Sequence, residues 1–238
     1  MQDIVKVLAP QGVLRVALNF GNPVLAKRQP ESGEPYGVSV ALALELARRA
    51  GVPHQFINYE AAGHVFKDAA NDVWDVAFMA IDPKRAQRVA FTQPYVLIEG
   101  TYMVPAGSAL QDVADADRDG VRIAVGRGAA YELYLTRHLK HAQLVHASTS
   151  AQAIDLFVDQ GLEAVAGVRQ PLLAYAGQHP GFRVMDGRFT AIEQAMAVPI
   201  ARKAAVQKLD EYVAQAKASG FVAQALAHSG ETAATVAP

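Results

Sequence analysis

Cysteine is absent from the 238 residues. That excludes disulfides, thiolate metal sites and cysteine nucleophiles, and it is consistent with an oxidising compartment. An excess of charge of either sign is also missing. The 22 Lys and Arg residues balance 23 Asp and Glu, for a formal net charge of −1. Such a chain has no strong field to draw nucleic acid or a membrane surface toward it. No apolar run is long enough for a bilayer span, so membrane insertion is not expected. The opening residues, MQDIVKVL, lack the basic region, apolar stretch and small-residue cleavage site of a signal peptide. The expectation is a chain that either resides in the cytoplasm or carries a trimmed leader.

Several familiar catalytic and metal patterns are absent too. There is no Gly-x-Ser-x-Gly elbow for a serine hydrolase. Gly126-Arg127-Gly128 follows an expected strand, but Tyr131 stands where a dinucleotide site needs its third glycine. Asp115-Ala116-Asp117-Arg118-Asp119-Gly120 imitates a calcium loop, yet Gly126 occupies the twelfth position, where that loop needs glutamate. His138 and His141 lie one helical turn apart, with His146 beyond, without HExxH-type spacing. No cofactor and no metal are expected.

What is present is an alternation of strand and helix patterns in a chain that is 51% hydrophobic. Residues 14–18 (LRVAL) read as a strand, and residues 38–50 have helical spacing with Gly51 as the stop. Residues 54–59 read as a strand, 65–70 as a short helix, and 75–80 (DVAFMA) as a buried strand. After a joint near residues 95–104 the pattern restarts. Strands are expected at 121–125, 143–146, 162–166 and 182–185, and helices at 129–139, 151–160 and from Pro171 to Gly177. An extended stretch at 194–198 precedes helices at 203–219 and 221–227, and the small, polar tail from Ser229 is expected to fray. The fold class is therefore α/β, with mainly parallel sheets flanked by helices. Two such units are expected, residues 1–98 plus 196–238 and residues 99–195. Ligands of open α/β sheets bind at the carboxyl ends of the strands, which here would line a cleft between two lobes.

Ordered motifs identify a resemblance. Ala80-Ile81-Asp82-Pro83-Lys84-Arg85, followed by Val89-Ala90-Phe91-Thr92-Gln93-Pro94-Tyr95, resembles the signature of family 3 solute-binding proteins, the polar amino-acid binders of ABC importers. Gly12-Val13-Leu14-Arg15-Val16 resembles that family's opening strand. Tyr36-Gly37-Val38-Ser39-Val40 is similar to its G-x-D-V-D element, with Ser39 where an acid is usual. Val125-Gly126-Arg127-Gly128-Ala129-Ala130 is similar to its V-Q-x-G-T-T turn, and residues 164–171 cover its DAVVAD-x-P strand end, with Val168 at the place of the second acid and one more residue before the proline. The resemblance spans about residues 12–228. It implies the two-lobed type II periplasmic-binding fold, a periplasmic location, a small-molecule ligand and an ABC permease as partner.

The resemblance also assigns Arg85 to the ligand carboxylate, a role suited to the rigid donor fork of a guanidinium. Two departures qualify it. The family places an aspartate against the ligand's α-ammonium where this chain has Val168, and hydroxyl residues where it has Ala80, Ala129 and Ala130. At the second turn this leaves the backbone N–H groups of Gly128 and its neighbours beside a helix N-terminus, which favours an anion. An ammonium facing Val168 would be desolvated without a partner. The ligand expected is a carboxylate without an α-ammonium. Further candidate contacts are Asn19, Phe20 and Asn22 after the first strand, Phe78 on the face of Ala80, and Tyr131, Arg169 and Gln170 in the second unit. Glu99 and Glu193, near the two crossings, either contact ligand or pin the hinge. Two other readings compete with a transport receptor. One is a cytoplasmic ligand-sensing domain. The other is an enzyme resembling cyclohexadienyl dehydratases, which would need Glu99, Glu132 or Glu193 as a general acid.

Overall fold

The computed structural model describes residues 7–231 and 234–238. The described residues up to Leu97, together with those from Glu193 onward, form one compact unit, and Ile98–Ile192 form another.

In the first unit, β1 (Leu14–Asn19) lies between β4 (His54–Tyr59) and β5 (Val76–Ala80), parallel to both. Val16, Ala17 and Leu18 are buried, as a strand covered on both faces requires. β11 (Thr190–Pro199) returns antiparallel to β5, setting Gln194 opposite Ala80 and Met196 opposite Phe78. The helix α1 (Val38–Ala50) buries Val38, Leu42 and Leu46 at fourfold spacing, and Gly51 ends it in the left-handed conformation at φ 68°. A short helix, α2 (Ala62–Lys67), packs Val65 into a cluster with Ala17, Trp74, Ala77 and Met79. The Trp74 indole donates to the Val65 carbonyl at 3.1 Å, so this buried ring leaves no polar atom unmet. Asp75, fully buried before β5, accepts from the Arg15 backbone N–H at 2.8 Å and from the Arg15 guanidinium at 2.7 Å, and it also pairs with Arg202. These bonds anchor the strand that leads to Arg85.

The second unit orders its strands as β8 (Gln143–Ala147), β7 (Arg122–Gly126), β9 (Ala164–Val168) and β6 (Val89–Pro105), the last shared with the first unit along the chain. β7 is parallel to β8 and β9, whereas β9 meets β6 antiparallel. β10 (Phe182–Val184) adds to β6 antiparallel. Three helices belong to this unit: α3 (Ala130–His138), α4 (Ser150–Asp159) and α5 (Arg169–Gln178). Ala153 and Phe157 of α4 and Leu172 of α5 bury themselves on Met103, Ala124 and Val165 of the sheet.

Three features depart from the sequence expectation. A small hairpin, β2 (Lys27–Arg28) and β3 (Pro35–Tyr36), follows β1. The α5 helix starts at Arg169, two residues before Pro171, which makes Val168 its N-cap. The tail does not fray over its described end: β12 (Thr235–Val236) pairs with Leu97 and Val96, and the Ala237 N–H donates to the Tyr95 carbonyl at 3.1 Å. An open strand edge satisfies the tail's backbone groups, which composition does not reveal. Part of that expectation falls on residues 232 and 233, outside the described residues. The C-terminal helices α6 (Val206–Ala218) and α7 (Phe221–His228) belong to the first unit, where the Tyr212 hydroxyl donates to the Leu42 carbonyl of α1 at 2.7 Å.

Candidate ligand-binding site

In the first unit the candidate residues gather at the carboxyl end of β5. Alternation along the strand sends Ala77 and Met79 into the Trp74 cluster and leaves Phe78 and Ala80 on the opposite face. Phe78 meets the Tyr95 ring edge-on, with centroids 5.8 Å apart, and the Tyr95 hydroxyl is 3.0 Å from Ser39 Oγ. Ser39, which stands where the family pattern carries an acid, is buried with that phenol, and burial pushes the Tyr95 hydroxyl up from its ordinary pKa.

Beyond Ala80 the chain turns sharply. Asp82 Oδ1 accepts from the Lys84 N–H at 2.8 Å and the Arg85 N–H at 3.4 Å, and the Ala86 N–H bonds back to the Asp82 carbonyl. This turn folds Arg85, only 1% exposed, back over its strand, where Nη1 donates to the Ala80 carbonyl at 3.0 Å. The guanidinium is thus oriented by backbone at the strand end.

The loop after β1 carries the other first-unit candidates. Asn19 Oδ1 accepts from the Gly21 N–H at 3.0 Å, closing a local turn. A Cβ on Gly21 would lie 2.5 Å from the Glu60 carbonyl oxygen, so this turn requires glycine. One face of the Phe20 ring is covered by the Arg28 guanidinium at 3.7 Å, and Arg28 pairs with Glu60 at 2.6 Å. Asn22 Oδ1 is buried without a hydrogen-bond partner among the described residues. The Glu193 side chain is exposed, and its backbone carbonyl accepts from the Ile81 N–H at 2.9 Å.

In the second unit the turn after β7 is stitched internally. The Arg127 N–H donates to the Ala147 carbonyl at 2.9 Å and the Ala129 N–H to the Gly126 carbonyl at 3.1 Å. The Tyr131 hydroxyl accepts from the Gly126 N–H at 3.3 Å and donates to Ser150 Oγ at 2.9 Å. Tyr131 is therefore buried in its own unit, engaged at its polar tip. The Gly128 N–H donates to Glu132 Oε2 at 3.1 Å. Glu132 Oε1 accepts from Thr136 Oγ1 at 3.2 Å and lies 3.0 Å from His146 Nε2. A carboxylate of the protein itself thus sits at the first turn of α3, on a residue that the sequence named only as a general acid for the enzyme alternative. Its only sequence signal was an acid in the first helical turn, where the helix dipole favours one. Ala130 and Tyr131 keep first-turn N–H groups that have no intrahelical acceptor.

Val168 ends β9 opposite Gly100, and its side chain gives α5 no cap. The next residue, Arg169, donates through Nε to Glu99 Oε2 at 2.7 Å and through Nη1 to the Met185 carbonyl at 3.2 Å, and it also bonds the Gly187 carbonyl. Arg188 takes the other Glu99 oxygen at 2.9 Å. This trio ties β6 to the segment leading into β11. Gln170 Oε1 is buried without a hydrogen-bond partner among the described residues. Among the described residues no group of three or more His, Asp or Glu side chains is placed to hold a metal ion.

Arg169, and then Arg188, hold the Glu99 carboxyl below the ordinary glutamate range. A lowered folded-state pKa contributes stability that is present above the unfolded value, near 4.3, and lost as pH falls through the folded value. Glu99 is 38% exposed, so water screens the pair. Glu99→Gln is expected to cost at most about 1 kcal/mol at neutral pH. That difference should vanish in acid, which urea unfolding at the two pH values checks. An undiminished difference in acid would show that shape rather than charge accounts for it.

No curated protein matches the chain by sequence. Solved structures share its fold. The cysteine-binding protein of Campylobacter jejuni aligns over 96% of this chain and 93% of its own, with a TM-score of 0.80 at 20% identity. The solute receptor for L-cysteine of Neisseria gonorrhoeae aligns over 94% and 92%, with a TM-score of 0.82 at 21% identity. An amino-acid ABC transporter substrate-binding protein of Streptococcus pneumoniae, bound to L-arginine, aligns over 94% and 97%, with a TM-score of 0.80 at 18% identity. At these identities the likeness carries the fold, an α/β architecture of the type II periplasmic-binding kind. The family model for bacterial extracellular solute-binding proteins, family 3, matches residues 14–229, nearly the whole chain. The chain belongs to that family of solute-binding proteins.

Proposed function

We propose that this protein is the periplasmic receptor component of an ABC-type importer, and that its ligand is a small carboxylate without an α-ammonium group. The observation that carries the reading is a pairing: Arg85 is kept, while Val168 stands where the family pattern has the acid that answers an ammonium. Buried and aligned by the Ala80 carbonyl, the Arg85 guanidinium suits a carboxylate, which gains most from a rigid donor fork away from water.

The state of the two acids near the chain crossings supports this reading. Glu99 is neutralised by two arginines, and Glu193 is exposed to solvent. An α-ammonium beside Val168 would lose its water for no counter-charge. The same geometry weighs against the dehydratase alternative. A general acid must hold a proton at working pH, whereas Arg169 and Arg188 favour the ionised form of Glu99.

Calorimetry with matched pairs, each an amino acid and its deaminated analogue, tests the reading. The deaminated acid is expected to bind at least as tightly. An amino acid that binds tenfold tighter, about 1.4 kcal/mol, would sink it.

A further inference from the structure

The face of β5 that carries Phe78 and Ala80 continues onto the next strand. β11 pairs with β5 antiparallel, and residues directly opposite in such a pair put their side chains on the same face. Ala197 follows its partner Ala77 into the Trp74 cluster. Alternation then puts Gln194, opposite Ala80, and Met196, opposite Phe78, on the other face. Two bonds hold this stretch of β11 in place. The Ile81 N–H donates to the Glu193 carbonyl at 2.9 Å, and the Met196 N–H donates to Thr92 Oγ1 at 3.1 Å.

Gln194 is 3% exposed, yet its carboxamide makes no hydrogen bond to any described residue. Its amide atoms are not sealed off as Asn22 Oδ1 and Gln170 Oε1 are, so the little surface that Gln194 keeps includes its polar tip. A buried polar side chain is nearly always paired, and leaving one unpaired is costly. The position of Gln194 points to what it meets. Directly opposite residues have Cβ atoms about 4.5–5.5 Å apart, and the residue opposite is Ala80, whose carbonyl aligns the Arg85 guanidinium. Ala80 also stands where the family pattern has a hydroxyl. The polar group missing from β5 is thus matched by a carboxamide on the adjacent strand. Ala80, Arg85 and Gln194 all belong to the first unit.

A carboxylate has about four lone-pair sites, and a bidentate arginine fills two of them. An amide nitrogen offers two N–H donors and no charge, so it can serve a remaining site beside a guanidinium. We propose that Gln194 contacts the ligand, donating from its amide nitrogen to the carboxylate that Arg85 holds, in place of the hydroxyl absent at Ala80. This role rests on the carboxylate of the reading above and holds with or without an α-ammonium.

Calorimetry on the full chain and two variants tests it. Gln194→Leu keeps the bulk and removes the amide, and Gln194→Glu replaces the donor with a second carboxylate. The probe is the tightest binder among leucine, alanine, phenylalanine, aspartate, arginine and the deaminated acid of each. Gln194→Leu is expected to bind it about ten- to a hundredfold more weakly, the loss that goes with one hydrogen bond to a charged group. Gln194→Glu should bind more weakly still, since its charge repels the probe and competes for Arg85. Thermal unfolding without probe separates a ligand contact from a structural one. Gln194→Leu should melt no lower than the parent, because the amide it loses bonds nothing in the protein. Affinity within about threefold of the parent in either variant overturns the role of Gln194 and leaves the carboxylate reading standing. A lower melting temperature accompanying the loss in Gln194→Leu does the same. An amino acid as tightest binder overturns only the exclusion of an α-ammonium, and the variants then decide on Gln194 with that probe. Silence from every probe overturns both.

Discussion

Arg85→Ala is expected to weaken ligand binding by about two to four orders of magnitude, because removing one partner of a desolvated ion pair costs about 3–5 kcal/mol. Most of that loss is the carboxylate left without a counter-charge. The side chain is buried, so the substitution also reaches the protein without ligand. It removes the donor to the Ala80 carbonyl, whose unpaired oxygen then costs about 1–3 kcal/mol of stability. Arg85→Lys separates the two effects. It keeps the positive charge on a flexible stem but loses the planar fork, so its affinity should fall between the parent and the alanine variant. Calorimetry with the tightest-binding carboxylate, alongside thermal unfolding of both variants, measures binding and stability independently. Affinity unchanged in a folded Arg85→Ala protein would remove this residue from the ligand.

The first unit's α1 was readable because two independent signals agreed, the fourfold spacing of Val38, Leu42 and Leu46 and the stop at Gly51. β5 was readable for a similar reason, as a short apolar run after a buried acid, Asp75. Where the signals were short or shared, reading stopped. The β2–β3 hairpin has two residues per strand, too few for any period to show. β6 is one strand of 17 residues, but Pro94 within it reads as a break, so only part of it registered as a joint. At α5, Pro171 is a good first-turn residue and drew the expected start two positions too late.

Side-chain partners were harder to read than elements, since spacing says which residues share a face and not what each polar tip meets. Tyr131 and Arg169 sit beside the family motifs, yet the one bonds Gly126 and Ser150 and the other Glu99. The orphaned oxygens of Asn22 and Gln170 could not be found from sequence at all. An unmet hydrogen bond is a property of packing, and the carboxamide that carries it looks like any surface amide in the chain.

Restoring the acid that the family pattern places at the end of β9 should convert the chain toward amino acids. In Val168→Asp, the affinity ratio of an amino acid to its deaminated analogue is expected to rise by roughly ten- to a hundredfold, since a hydrogen bond to a charged group contributes about 1.5–3 kcal/mol. The position can carry the substitution. Val168 is already the N-cap of α5, with extended dihedrals of φ −71° and ψ 136° and no side-chain cap. Aspartate is among the preferred residues there, because its oxygen can accept from the Gln170 N–H, the next position being Pro171, which has none, and it replaces a β-branched residue that cannot cap. The variant should therefore fold at least as stably as its parent, by up to about 1 kcal/mol. Capping and ligand compete for the new carboxylate, but its two oxygens can serve both. Arg169 works against the gain by drawing the new charge, and its own bonds to Glu99 and the Met185 carbonyl limit how far it can turn. Val168→Asn is the matched control: it caps as well and adds no charge, so it should leave the preference near its starting point. An aspartate variant that is stabilised yet shows the same preference as the asparagine variant would mean that this strand end caps a helix and does not meet the ligand.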